Sequence, residues 1–224
     1  MTAVPMDRTR LERRVTTPIL TRAQVVALTH APEADVRRWT TGPNPAVQRA
    51  PRSGWTPFTV NFAGLLEADL LHMLTDMPHL GPRKASGVMR AIRQDHGPLA
   101  LIEHPGLFTD GKDVFLLDGG VFTRVRDSQG AFAEVLERYT RRLVVRDGRV
   151  QEYRPDRLPI ASVNPAFNGG GLSLMSNRTP VSAVAGMLLA GETPQSVALD
   201  YDLDVSEVQA VERDLEWAWQ ASAA

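Results

Sequence analysis

With 224 residues, 43% of them hydrophobic and 23% charged, the chain has ample capacity for a buried core, as one large or two small domains. Zero cysteines exclude disulfides and thiolate metal sites, and no apolar run approaches the ~20 residues of a membrane span. The formal net charge of −1 hides a gradient: residues 1–53 hold nine arginines against four acids, and residues 179–224 hold eight acids against one base, Arg213. Such asymmetry points to two partners, one anionic and one cationic, and the lack of a signal-peptide pattern points to the cytoplasm.

Residues 1–18 carry Arg8, Arg10, Arg13 and Arg14 and read as a flexible basic arm, or as a plain solvated tail. Thr21 with Gln24 then makes a capping box for a helix containing Val25, Val26 and Leu28. Pro32-Glu33 opens a second helix, with Val36 and Trp39 turned inward and Gly42 ending it. Arg37, Arg38 and Thr41 are left facing out. Two adjacent arginines on a helix diverge by about 100°, so one can reach a base edge while the other holds a phosphate. The stretch T-R-A-Q-V-V-A-L-T-H-A-P-E-A-D-V-R-R-W resembles the first two helices of MerR-like helix-turn-helix proteins. His30 stands here in place of the usual turn glycine, and Pro32 in place of the capping serine. The bland alternative is a helical hairpin with an exposed arginine pair.

Gly42 to Pro57 is rich in Pro and Gly and carries Arg49 and Arg52, and Phe58 to Phe62 alternates like a strand. Together they read as a wing lying along a DNA backbone, or as a plain linker. The expected DNA contacts are therefore Arg22, Arg37, Arg38, Thr41, Arg49 and Arg52. Leu65 to Leu74 is apolar nearly all round, and a helix of that kind has to be covered on every side. A second copy of the chain covering Leu65, Leu66, Leu70, Leu71 and Leu74 would make it a dimer helix; otherwise it is a central core helix.

Gly81-Pro82 starts a helix bearing Arg83, Lys84, Arg90 and Arg93, either an addition to the basic face or an ordinary solvated surface. A hairpin follows, Val114 to Leu117 and Val121 to Val125 about an Asp118-Gly119-Gly120 turn, then a helix from about Gln129 to Arg141. Asp147-Gly148, flanked by Val144-Val145 and by Val150 to Tyr153, is the strongest hairpin signal in the chain. Ile160 to Met175 is extended, with a loop at Asn168 to Gly171.

Three short helices are punctuated beyond Asn177. Thr179-Pro180 starts one that Gly191 closes, Thr193-Pro194 starts the next, and Asp204 with Glu207 boxes the third. Val208, Val211, Leu215 and Trp219 form the expected buried stripe of the third, leaving Glu207, Glu212, Glu216 and Trp217 for a partner. This is a helix-turn-helix layout, yet its acids would repel a phosphate backbone. The pattern T-P-V-S, A-G-E-T-P-Q-S-V-A and D-Y-D-L resembles the small domain of VapB-type antitoxins, whose core reads G-T-R-I-P-V, A-G-E-S-P-E-E-I-A and D-Y. Asn177 departs from that pattern, a change expected to touch the turn and not the helices. The F-x-x-L-L-E-A helix and the T-D-G-K-D-V-F hairpin are similar to long antitoxins of the same family.

Asn168-Gly-Gly-Gly171 lacks the Lys-Ser/Thr of a phosphate loop. The five histidines form no metal-binding pair, and no G-x-S-x-G occurs. Nothing compels an enzyme, a metal or a cofactor. The expectation is a mostly helical α+β protein: a winged helix-turn-helix over 1–60, a mixed dimerising middle over 61–160, and an acidic trihelical domain over 161–224. The resemblance implies a DNA-binding, self-repressing antitoxin that acts as a homodimer on double-stranded operator DNA and neutralises a PIN-like ribonuclease. The alternative is a stand-alone dimeric transcription regulator whose middle region senses a ligand.

Overall fold

The computed structural model describes residues 8–49, 57, 59–77, 80–103, 115–118, 121–124 and 129–223. Leu11 and Val15, four apart, share one helical face, and both are buried within α1 (Arg8–Thr16). The segment expected as a flexible arm is thus helical from Arg8 onward, because it has two apolar side chains to bury; Arg10 and Arg13 stay on its outer side. Strand β1 (Pro18–Leu20) leads into α2 (Arg22–Thr29) and α3 (Glu33–Trp39). Of the strand expected over Phe58 to Phe62, β2 (Val60–Asn61) forms and pairs antiparallel with β1; Phe58 lies outside the described residues. Phe62 instead begins α4 (Phe62–Thr75), capped by Asn61, whose Oδ1 accepts from the Gly64 N–H at 2.7 Å.

Helix α4 is the axis of the molecule. Twelve of its fourteen residues are buried. Packed around it are α1, α2, β1, β2, α5 (Gly81–His96), α6 (Ala100–Glu103) and α7 (Gln129–Arg141). Leu65, Leu66, Leu70, Leu71 and Leu74 are all enclosed by this one chain, so the expectation that they meet a second copy is overturned. The physical premise was sound, since an all-apolar helix is covered on all sides, but the cover comes from its own chain. Gly64 is where a loop backbone presses closest: a Cβ there would meet the Gln48 carbonyl oxygen at 2.2 Å.

Strands β3 (Phe115–Asp118) and β4 (Val121–Arg124) form the expected hairpin, with its turn at 119–120 and the preceding Thr109–Val114 outside the described residues. A four-stranded antiparallel sheet follows in chain order: β5 (Leu143–Arg146), β6 (Arg149–Tyr153), β7 (Ala161–Val163) and β8 (Leu172–Leu174). Asp147 (φ 52°) and Gly148 (φ 73°) both lie in the left-handed region, as a two-residue type I′ turn requires. Residues Asn168–Gly170 form a short 3₁₀ turn between β7 and β8.

The last segment is four helices where three were expected: α8 (Val181–Leu189), α9 (Pro194–Tyr201), α10 (Val205–Glu212) and α11 (Leu215–Ser222). Thr193 and the Asp204–Glu207 box cap α9 and α10 as anticipated. Thr179 does not cap α8; Pro180 occupies that position, and the Thr179 hydroxyl donates to Asn177 Oδ1 at 2.7 Å. Asn177 does reach a helix: its amide donates to the carbonyls of Tyr201 (2.9 Å) and Asp202 (3.3 Å) at the end of α9. One hydrophobic cluster runs unbroken from Leu11 to Ala221, across both expected domain boundaries. Among the described residues, no helix is long and apolar enough to cross a membrane.

Candidate functional site

The basic end is built on α2 and α3. Thr21 Oγ1 accepts from the Gln24 N–H at 3.1 Å while Gln24 Oε1 accepts from the Thr21 N–H at 2.8 Å, closing the predicted capping box. His30 caps the other end of α2 with φ 60°, so it takes up the left-handed conformation that a glycine would adopt without strain. Val36 and Trp39 anchor α3 inside, which turns Arg37 and Arg38 outward. Arg38 pairs with Asp35 at 2.8 Å on the surface, a contact in high dielectric that a phosphate can replace. Thr41 is exposed, its hydroxyl donating to the Arg38 carbonyl at 3.3 Å, and Arg22 is half-buried at the first turn of α2. Arg52 lies outside the described residues.

The loop after α3 is held from beneath by side chains that were expected to lie on a basic or solvated face. Arg90 Nε donates to the Asn44 carbonyl at 2.9 Å, and Arg93 donates to the carbonyls of Pro45 (3.1 Å) and Ala46 (2.6 Å). Arg93 Nε also donates to Glu67 Oε1 at 3.0 Å, and Glu67 accepts from both the backbone and side chain of Gln48. Burial pushes the Glu67 carboxyl above its ordinary range, against the pull of Arg93 and Gln48. This fixes the loop up to Gln48. Arg49 is then exposed, its backbone bridged to Val60. Two acids, Glu67 and Asp69, inside an otherwise apolar helix are the signal in the sequence that such cation partners exist.

The acidic end presents Glu192, Asp200, Asp202, Asp204, Glu212 and Glu216 to solvent. The four residues singled out for a protein partner fare differently. Glu212 and Glu216 are exposed, but they sit on different helices, because the helix breaks at Asp214 (φ −135°, ψ 44°). Glu207 is half-buried and accepts from the Asp204 N–H at 3.2 Å as part of the capping box. Trp217 is buried, with its indole N–H donating to the Ala27 carbonyl at 2.8 Å, so it is not a surface contact. The break rotates the expected stripe: Trp217, Ala218 and Ala221 face inward, and Trp219 is 42% exposed.

No family model matches this sequence, and no curated protein matches it. The fold does have a solved counterpart. The chain is similar to the crystal structure of Rv2018 from Mycobacterium tuberculosis, with a TM-score of 0.65 and 20% sequence identity over 88% of this chain and 98% of that one. At that identity the likeness is one of fold, and the resemblance to VapB-type antitoxins rests on its motifs.

Two buried ionic joints tie the two ends together. Arg142 donates to Asp69 on α4 and to Asp156, while the Tyr153 hydroxyl donates to the Leu28 carbonyl of α2 at 3.2 Å. Arg178 donates through both its terminal nitrogens to Glu152, at 2.9 Å each, and lies 4.7 Å over the Phe167 ring. These hydrogen bonds, with help from Ser162, hold the Glu152 carboxyl down at about 2 even though burial opposes them. A carboxyl held below its unfolded value of 4.5 contributes stability that is complete above that pH and is lost as pH falls to about 2. Chemical denaturation of wild type and Glu152→Gln should therefore show a gap near pH 6 that closes on approach to pH 2. A gap of constant size over that range would mean that Glu152 titrates normally.

Proposed function

We propose that this protein is the cytoplasmic antitoxin of a type II toxin–antitoxin pair, which represses its own operator and neutralises a PIN-like ribonuclease. The observation that carries the reading is the opposition of charge within one packed molecule. Exposed arginines stand on the second helix of a helix-turn-helix, and an acidic four-helix end is joined to the first helix of the same motif. The basic face suits a phosphate backbone with base edges beside it. The acidic end suits the cationic groove of an enzyme that handles RNA, and it would be repelled by DNA. No catalytic group, metal or cofactor enters the proposal.

A homodimer on a palindromic operator remains part of it, with half-sites about 10 bp or a multiple apart. Its contact surface is something other than α4. Arg37→Ala and Arg38→Ala should each cost ~1–3 kcal/mol of operator affinity if the residue is bidentate to a guanine. Gel shifts with the DNA upstream of the gene, at fixed salt, read this directly. Full affinity in the double alanine variant would remove α3 as the reading helix, and no binding by wild type would remove the repressor role.

A further inference from the structure

Helices α8 and α11 pack against one another, and the ring of Trp219 lies over Gly186 of α8, its Cζ3 3.6 Å from where an alanine methyl would stand. Leu189 is three residues beyond Gly186, so it lies on the same face of α8, one turn further on. The two side chains are 42% and 55% exposed, which makes an apolar patch across the outer seam of the α8–α11 pair. Glu192 and Glu216 flank it, both exposed: one three residues past Leu189, the other three before Trp219. A large aromatic beside an aliphatic, with charge confined to the rim, is the usual make-up of an interface anchor.

From this arrangement we infer that the Trp219–Leu189 patch is the anchor by which the protein grips a basic protein partner, its acids forming the rim. The inference rests on the antitoxin reading for the partner's identity, and goes beyond it by assigning affinity to apolar contacts and approach to the charges. The occupant follows from charge: the region from Thr179 onward holds eight acids against one base, so a complementary surface is cationic. A second copy of the chain fits badly, because a two-fold contact through this patch would bring the acidic rim of one copy, Glu192 and Glu216, against the same acidic rim of the other. The anchor and the rim should differ in kinetics. Apolar hot-spot residues act on dissociation, whereas rim charges act on association and on its salt dependence.

The test is binding kinetics of the full chain against the purified product of the adjacent gene, at low and high salt. Trp219→Ala and Leu189→Ser should each weaken binding by roughly 30-fold or more, mainly through faster dissociation. Val145→Ser, which removes a comparably exposed apolar side chain on β5 (45% exposed), should change nothing. The double variant Glu192→Gln/Glu216→Gln should slow association at low salt and leave dissociation alone. Thermal unfolding of each variant guards against a folding defect, and Leu189→Ser decides if Trp219→Ala lowers the midpoint. Wild-type binding with unchanged dissociation in Leu189→Ser and Trp219→Ala would overturn the anchor and leave the antitoxin reading standing. No binding by wild type would sink that reading and this inference with it. A shift of Trp219→Ala to a smaller species in sedimentation would give the patch to a second copy and also overturn the inference.

Discussion

Replacing Arg142 by alanine is expected to cost the fold about 3–5 kcal/mol, the usual consequence of removing one partner from a buried ion pair. Arg142 stands between α7 and β5 with only 7% of its side chain exposed, and Asp69 below it is fully enclosed within α4. The guanidinium is the charge that makes a carboxylate tolerable there. Even with it, burial pushes Asp69 up to about 7, the arginine pulling the other way. An acid raised above its unfolded value of 3.8 favours the folded state less and less as pH rises from about 4 to about 7. Without Arg142 that decline should continue to higher pH, so the variant should lose more relative to wild type at pH 8 than at pH 5. Arg142→Ala/Asp69→Asn should recover part of the loss, since it no longer buries an unpaired charge. Urea titrations at several pH values would measure all three. Equal losses at pH 5 and pH 8, with no recovery in the double variant, would show that Arg142 acts by packing alone.

Trp217→Ala should be nearly as severe, ~3–5 kcal/mol, because a large buried ring is lost and a cavity left behind. Trp217 is the joint between the acidic end and α2. Its indole N–H reaches the Ala27 carbonyl of α2, Arg157 lies 5.5 Å from its ring, and the Gln24 amide reaches the Ala223 carbonyl nearby. Trp217→Phe keeps most of the apolar area, loses the indole donor and should cost only ~1–2 kcal/mol. The alanine variant should also loosen α2, so on the proposed function operator affinity should fall, although Trp217 is far along the sequence from every arginine expected to touch DNA. A single unfolding transition at the wild-type midpoint would rule out this joint as a source of stability. Two separated transitions in wild type would show that the acidic end folds independently of α2.

Several helix beginnings and the Asp147-Gly148 turn are legible in the sequence because they are decided within four residues, whereas the caps of α8 and α4 and the start of α11 are not. Thr21 with Gln24, Thr193-Pro194, Asp204 with Glu207, and Asp147-Gly148 all act where the side chains predict, since each partner lies two or three positions away. The mostly helical α+β class follows from the same signals. Periodicity also placed Val36 and Trp39 inward and so turned Arg37 and Arg38 outward.

What lies on the outside of each element was decided elsewhere in the chain. The all-apolar α4 announced that it would be covered, but nothing local told whether a second copy or its own chain would do so. Arg90 and Arg93 looked like surface cations because the carbonyls they hold, at Asn44, Pro45 and Ala46, are more than forty positions away. The exchange of roles between Trp217 and Trp219 has the same origin. Each helical residue turns by about 100°, so a two-residue interruption at Arg213-Asp214 is enough to carry one tryptophan inside and the other out. At that interruption a contact arrives from across the fold, in which Arg157 holds Asp214 at 2.5 Å. Capping and turn energies are set by neighbours along the chain, whereas a side chain's burial is set by whichever distant element arrives against it; only the tertiary structure supplies that.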